Sequence, residues 1–415
     1  MGRGRATGRA PFFLRPNFPF KACDCPLVSV VKIRAMDDFS RAAAHRGLTL
    51  AVVALVVATA MRPVARGQSQ FAAGVDSYIA AQVREQRIPG LALAVSRDGR
   101  VVKSQGYGFA NIELNVPVTP DTVFQLGSIG KQFTATAILM LAEDGRLSLD
   151  DKITRYFPVA APRWNAITVR HLLNHTSGLA DYTDDKYIAP GGLTPLPEEL
   201  TDEEILRRFT ALPFDFKPGE KWSYSNTGYA ILGFLIHKVS GQTYGDFLEA
   251  RMFKPLGMSA TRVISESDII PNRAAGYLLV KNEIKNQYWV SPHWNTLADG
   301  ALYSTAADMT KWDAAITARA LLRPGSYAQM WTPAPLNDGK SYPYGFAWDL
   351  LEVNGHRLQE HGGAWQGFTA HYARYPDDHL SVIVLTNLGA GPSDPEKISH
   401  EVAALYIPAL KLPQQ

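Results

Sequence analysis

Apolar and polar positions change their spacing several times along the 415 residues. FAAGVDSYIAAQVREQ, residues 71–86, places its apolar residues at helical intervals and predicts an amphipathic helix. In LALAVSRDGRVVKSQGYGFAN two apolar runs flank Arg97-Asp98-Gly99, the pattern of a hairpin closed by an Asp-Gly turn. The period becomes helical again in TPDTVFQLGSIGKQFTATAILMLAEDGRLSLDD, with Phe133, Ala137 and Leu141 on one face and a stop at Asp144-Gly145. Residues from about 150 to 300 form helical stretches broken by Pro and Gly: ITVRHLLNHTSGL, TDEEILRRFTAL, SNTGYAILGFLIHKVSG and QTYGDFLEARMFKPLGM. Ser304 to Ala318 predicts a further helix capped by Thr305, with Asp308 in its first turn. From Tyr344 strand spacing returns, with turns at Asn354-Gly355 and Asp377-Asp378, and a helix near Pro395 to Tyr406 closes the chain. This order predicts an α/β fold of the α+β type: a largely antiparallel sheet built from both chain ends, flanked by helices, plus an all-helical lobe.

Charge is unevenly placed. The formal balance is +3, but residues 1–67 hold 11 of the 42 Lys and Arg and 3 of the 39 Asp and Glu, so 31 basic and 36 acidic residues follow, a balance of −5. A slightly acidic remainder carries no electrostatic footprint for nucleic acid. The basic excess surrounds GLTLAVVALVVATAM, Gly47 to Met61, preceded by Arg41 and Arg46 and followed by Val64, Ala65, Arg66 and Gly67. At about fifteen residues the run is shorter than a spanning helix needs. It reads as a secretory signal peptide over 36–67 with a cut after Gly67, and an uncleaved anchor is the alternative that Arg62 and Arg66 leave open. Because Met36 opens this segment, residues 1–35 read as a non-native upstream extension, and 68–415 as a single catalytic domain in a periplasmic or secreted protein, without stable membrane insertion after cleavage. Cys23 and Cys25, the only cysteines, fall in the extension, so neither a disulfide framework nor a metal pair is expected.

Three short motifs could carry chemistry. Ser128 and Lys131 lie three apart at the start of the apolar helix, so the amine can reach the hydroxyl. Burial among Phe124, Leu126 and Phe133 would lower the lysine pKa and make it a base near neutral pH. The same spacing also describes a Ser at a helix start and a solvated Lys. Tyr224-Ser225-Asn226 follows a Pro218-Gly219 turn and precedes a helix, so both outer side chains could meet one point; a packed Tyr and a capping Asn are the plainer reading. His361-Gly362-Gly363-Ala364 sits inside a predicted strand, where glycine marks close approach of another backbone or a ligand, or a simple bend. Rival patterns are weaker. Ser128 lacks the Gly-x-Ser-x-Gly elbow, and His171 and His175, four apart, have no adjacent Glu to make a zinc pair. Trp222, Tyr182, Tyr187, Trp289, Trp294 and Trp365 are aromatic candidates for lining a cleft, one or two of which are expected to do so.

Ser-x-x-Lys, Tyr-x-Asn and a third strand motif, in this order, resemble the class C β-lactamase, D,D-peptidase and esterase group of serine hydrolases, within the wider penicillin-binding set. The resemblance extends through VTPDTVFQLGSIGKQFTA, ITVRHLLNHTSGL, FKPGEKWSYSNTGYAILG, FKPLGMSAT and DGALYSTAADMTKW, over about residues 72–408. It implies a β-lactamase/transpeptidase-like fold and acyl-enzyme formation on Ser128 with Lys131 as base. It further implies Tyr224 as proton shuttle to the leaving group and to the deacylating water, and Asn226 as a partner of Lys131 and of the substrate amide. The N–H groups of Ser128 and Ala364 would form an oxyanion hole worth about 3 kcal/mol per donor. Where many relatives have Lys-Thr-Gly, this chain has His361-Gly362-Gly363. Losing the fixed cation weakens recognition of a substrate carboxylate and favours the esterase and D-amino-acid peptidase branches. The expected activity is hydrolysis of a small ester, amide, β-lactam or short peptide, with no metal or organic cofactor. A true β-lactamase or D,D-carboxypeptidase, and a catalytically silent peptidoglycan-binding protein, are the alternatives. Specificity is expected to lie in loops 180–200 and 280–298.

Overall fold

The computed structural model describes residues 62–160, 162–188 and 196–412, with side chains from residue 74 onward; the segments read as upstream extension and as apolar signal run, with Cys23 and Cys25, lie outside them. The described residues from Pro63 onward cluster as one compact unit. Among the described residues no helix is long and apolar enough to cross a membrane.

Helix α1 (Arg62–Glu85) leads into β1 (Gly90–Arg97), β2 (Arg100–Asn111) and β3 (Val116–Pro117). The β1–β2 turn has φ of 51° at Asp98 and 72° at Gly99, the left-handed pair that the Asp-Gly signal calls for. Four strands from the other chain end complete the sheet: β4 (Asp349–Val353), β5 (His356–Trp365), β6 (Phe368–Tyr375) and β7 (Leu380–Thr386). The order is β4-β5-β6-β7-β1-β2-β3, antiparallel throughout, and β1 joins the two ends by pairing Leu91 with Thr386 and Arg97 with Leu380.

Both faces of the central strands are covered, which is why their apolar residues run on without alternation. Leu91, Leu93, Val95, Val382 and Val384 pack in one cluster with α1 and the closing helix, while Ala92, Ala94, Ile383 and Leu385 join a larger core that continues into the helices of the middle segment. That core contains α2 (Lys131–Glu143), α3 (Val169–Leu173), α4 (Asp202–Ala211), α5 (Asn226–Ser240) and α6 (Ala306–Thr317); α7 (Pro395–Tyr406) lies on the opposite face. Thr305 caps α6 by accepting from the Asp308 N–H, as the sequence predicts.

Two stretches depart from expectation. ITVRHLLNHTSGL is helical only from Val169 to Leu173, because His175 turns into the left-handed region at φ 59° and Gly178 follows at 74°. The region expected to be helical throughout also contains a hairpin, Tyr277–Val280 with Glu283–Asn286, closed by Lys281 and Asn282 at positive φ. It joins the end of the sheet, where the Tyr277 N–H donates to the carbonyls of Gly367 and Asn387.

Buried polar contacts fix α6 to the sheet. Asp313 Oδ1 accepts from Tyr372 Oη (2.7 Å), Ser381 Oγ (2.7 Å) and Arg374 Nε (3.1 Å), and Arg374 donates further to Gln359 and Thr317. Asp313→Ala strands a buried guanidinium, so it should cost roughly 3–5 kcal/mol of unfolding free energy in a urea titration; a loss below about 1 kcal/mol would show that solvent reaches Arg374.

Candidate active site

Ser128 lies in a 3-10 turn, Gly127–Gly130, that runs directly into α2, so Ser128 and Lys131 occupy successive turns of one buried segment. Two glycines let this turn meet strand β5. Gly127 has φ 53° and a Cβ there would stand 2.5 Å from the Ala364 nitrogen; a Cβ on Gly363 would stand 2.0 Å from the Leu126 carbonyl and 3.1 Å from the Ser128 nitrogen. The strand glycine therefore marks a close approach of two backbones, and it brings the Ser128 and Ala364 peptide groups together. Gly362 is less constrained: the nearest atom to a Cβ there is 3.8 Å away.

Lys131 is fully buried, and its Nζ contacts three oxygens: Ser128 Oγ at 2.9 Å, Asn226 Oδ1 at 2.7 Å and the Asp299 carbonyl at 2.5 Å. The two carbonyl oxygens can only accept. A neutral amine has two N–H groups and one lone pair, so once both hydrogens are committed to Asn226 and Asp299, the lone pair faces the Ser128 hydroxyl. Asn226, the first residue of α5, is held in the required orientation because its Nδ2 donates to Asp181 Oδ2 and Thr183 Oγ1, each at 3.0 Å. It is thus not the helix cap. Burial pushes the Lys131 pKa down to about 8, against the opposing pull of the Asp299 and Asp181 carboxylates. Asp299, whose own pKa is raised by burial, accepts from Tyr182 Oη at 3.0 Å.

Tyr224 is half-buried with its hydroxyl shielded from solvent, and its ring centroid lies 4.9 Å from Lys131 Nζ. Burial, and then the charges of Asp299, Asp181 and Asp349, raise its pKa well above the ordinary value, although the Ser128 hydroxyl favours ionisation. The resting phenol is protonated, so of the two groups Lys131 is the one that loses its proton first as pH rises. Apart from its approach to the Ser128 hydroxyl, the Tyr224 hydroxyl has no partner at full hydrogen-bonding geometry, which leaves it able to bond a further group. His361 is 4% exposed with its pKa lowered to about 3, first by burial and then by the charge of Lys131, so it is neutral. Both its nitrogens are taken: Nδ1 by the Gly362 carbonyl at 2.6 Å and Nε2 by Tyr344 Oη at 2.9 Å.

A cleft of about 110 Å³ opens on Ser128, with Tyr182, Trp294, Trp365, Asn226 and Ala364 among its walls. Three of the six aromatic candidates line it; Trp222 instead stacks on Tyr342, Tyr187 is core and Trp289 is exposed. His171 and His175 do not form a pair: His171 Nδ1 accepts from the Thr168 N–H in a capping box, whereas His175 bonds Tyr344 and Ser225. The sequence reading missed Asp181, Thr183 and Asp299. Asp299 opens the quoted DGALYSTAADMTKW block, but its contact with Lys131 is made by a main-chain carbonyl that any residue offers, and its carboxylate acts on Lys131 only through its charge.

Comparison with known proteins agrees with this architecture. Residues 75–406 match the Beta-lactamase family, and the chain belongs to that family. It is 32% identical over 308 residues to penicillin-binding protein 4* of Bacillus subtilis, covering 70% of this chain and 66% of the relative, and 32% identical over 316 residues to a D-aminopeptidase of Brucella anthropi, covering 74% and 57%. The chain therefore spans less than two thirds of these relatives. Among solved structures, an octameric penicillin-binding protein homologue from Pyrococcus abyssi matches with TM-score 0.71 and 30% identity, over 83% of this chain and 78% of that one. A D-amino acid amidase from Ochrobactrum anthropi SV3 matches with TM-score 0.69 and 26% identity, over 82% and 98%.

The electrostatics are testable through the pH dependence of labelling by a fluorophosphonate. Free amine appears as pH rises through the Lys131 pKa, so the rate should climb with a midpoint near pH 8. Asp299→Asn removes a charge that raises this pKa, so the midpoint should move to lower pH by on the order of one unit; an upward shift would contradict the assignment of Asp299.

Proposed function

We propose that the protein is a serine hydrolase that forms an acyl-enzyme on Ser128 and opens ester or amide bonds of small acyl donors, in the manner of an esterase or D-amino-acid peptidase. The observation that carries this reading is the Lys131 amine held by two acceptor-only oxygens with its third direction on Ser128 Oγ. As Ser128 Oγ attacks the acyl carbon, its proton passes to Lys131 Nζ. The N–H groups of Ser128 and Ala364 receive the developing oxyanion. The Tyr224 hydroxyl protonates the leaving alcohol or amine and regains a proton from the Lys131 ammonium. Water then attacks the ester on Ser128 with the same groups acting in reverse, and Ser128 recovers its proton.

The charge pattern bears on the substrate. Lys131 is committed to catalysis, His361 is neutral, and Asp181 and Asp299 lie beside the cleft. This favours acyl donors that are uncharged or carry an ammonium group over those carrying a carboxylate. The relatives named D-aminopeptidase and D-amino acid amidase fit that preference. A β-lactamase or D,D-carboxypeptidase is the second reading, favoured by the penicillin-binding relatives. The exported location remains part of the proposal and rests on the pattern from Arg41 to Gly67.

Intact-mass spectrometry after brief exposure to a fluorophosphonate, a p-nitrophenyl ester and a penicillin, with Ser128→Ala as control, separates these readings. The expected result is a fluorophosphonate adduct on Ser128, ester turnover and no penicillin adduct, with turnover reduced by about 10³-fold or more in Ser128→Ala. A long-lived penicillin adduct moves the protein to the cell-wall peptidases. No adduct from any reagent leaves a silent binding protein.

A further inference from the structure

Behind Tyr224 lies a row of buried groups that the acyl-transfer steps do not use. The Ser225 N–H donates to His175 Nδ1 at 3.2 Å; His175 Nε2 lies 3.2 Å from Tyr344 Oη; Tyr344 Oη lies 2.9 Å from His361 Nε2; and His361 Nδ1 lies 2.6 Å from the Gly362 carbonyl. The two ends of the row determine every proton in it. A main-chain N–H only donates, so His175 Nδ1 carries a lone pair and Nε2 carries the hydrogen. A carbonyl only accepts, so His361 Nδ1 carries the hydrogen and Nε2 the lone pair. Tyr344 has one hydrogen, accepts from His175 and donates to His361, and the chain closes without a conflict.

The ends are placed where catalysis needs rigidity. Ser225 stands between Tyr224 and Asn226, and Gly362 lies two residues before Ala364 on β5. His175, Tyr344 and His361 are each buried, and His175 holds a left-handed backbone at φ 59°, uncommon for any residue but glycine. The same turn is tied to the Tyr224 segment by its own main chain, since the Ser223 N–H donates to the His175 carbonyl at 3.0 Å.

We propose that His175, Tyr344 and His361 are positioning residues that form a one-directional hydrogen-bond strut, setting the spacing between the Tyr224–Asn226 turn and the oxyanion strand and leaving His361 no nitrogen for the substrate. The proposal rests on the reading of Ser128 as nucleophile. His361 then occupies a place where a cation would meet a substrate carboxylate, and instead serves the framework. Burial keeps both imidazoles neutral; the charged or titratable groups facing them are Lys131, which lowers both, His361, which lowers His175, and His371 and Glu360, which oppose each other at His361, while the phenols of Tyr224, Tyr229 and Tyr344 pack against the rings.

The test uses the full chain with ¹⁵N-labelled histidine. NMR of the wild-type protein should show His361 protonated at Nδ1 and His175 at Nε2, neither titrating between about pH 5 and 9. In Tyr344→Phe the strut is cut, and kcat for the p-nitrophenyl ester should fall by about 10-fold to 100-fold with KM within about twofold. Either histidine in the opposite tautomer, an imidazolium titrating in that range, an unchanged kcat, or a rise confined to KM would overturn the strut. The wild-type spectra decide the tautomers even if Tyr344→Phe does not fold. A wild-type protein whose Ser128 takes no fluorophosphonate overturns the hydrolase reading along with the strut, whereas a labelled Ser128 with the wrong tautomers overturns the strut alone.

Discussion

The site depends on a buried lysine whose three hydrogen-bonding directions are assigned. Lys131 has no solvent to supply partners, so each direction must be met by protein: the Asn226 amide oxygen, the Asp299 carbonyl and the Ser128 hydroxyl. Burial lowers the cost of losing the proton, and the two acceptor-only oxygens fix which way the resulting lone pair points. A more exposed lysine would keep its proton, and a less constrained one would not aim it.

The fold can be understood as the means of bringing those partners to one place. Ser128 and Lys131 come from a single turn, but Asn226 begins α5 and Asp299 precedes the strand Leu302–Ser304, so the partners are 95 and 168 residues away from Lys131. The sheet adds the remaining wall, because β5 can press against Gly127 and Ser128 only where Gly363 lacks a side chain. Covering both faces of that sheet, with α2 and α6 on one side and α1 and α7 on the other, keeps the strand from yielding.

Much of this was legible in the chain. The Asp98-Gly99 hairpin, the Thr305 cap and the stop at Asp144-Gly145 are local signals, set by turn and cap chemistry, and local structure follows them. The Ser128–Lys131 pair was legible because helical spacing alone brings it together. The hairpin at 277–286 was not, since Lys281-Asn282 lacks the glycine of the usual turn signal. The Asp299 contact with Lys131 was hidden because it is made by backbone, and the effect of its carboxylate because 168 residues separate the two. His361 could be read as uncharged, but that both its nitrogens are occupied depends on Tyr344, 17 residues away, whose role no spacing rule reveals.

The most direct measurement is the titration of the Lys131 ammonium itself, followed by ¹⁵N NMR of lysine-labelled protein and assigned with Lys131→Arg. A midpoint near pH 8, well below the ordinary 10.5, is the expected result and identifies Lys131 as a base available to Ser128. A midpoint at or above 10.5 would mean that the carboxylates of Asp299 and Asp181 outweigh burial, that the amine stays charged in use, and that Ser128 is activated in some other way.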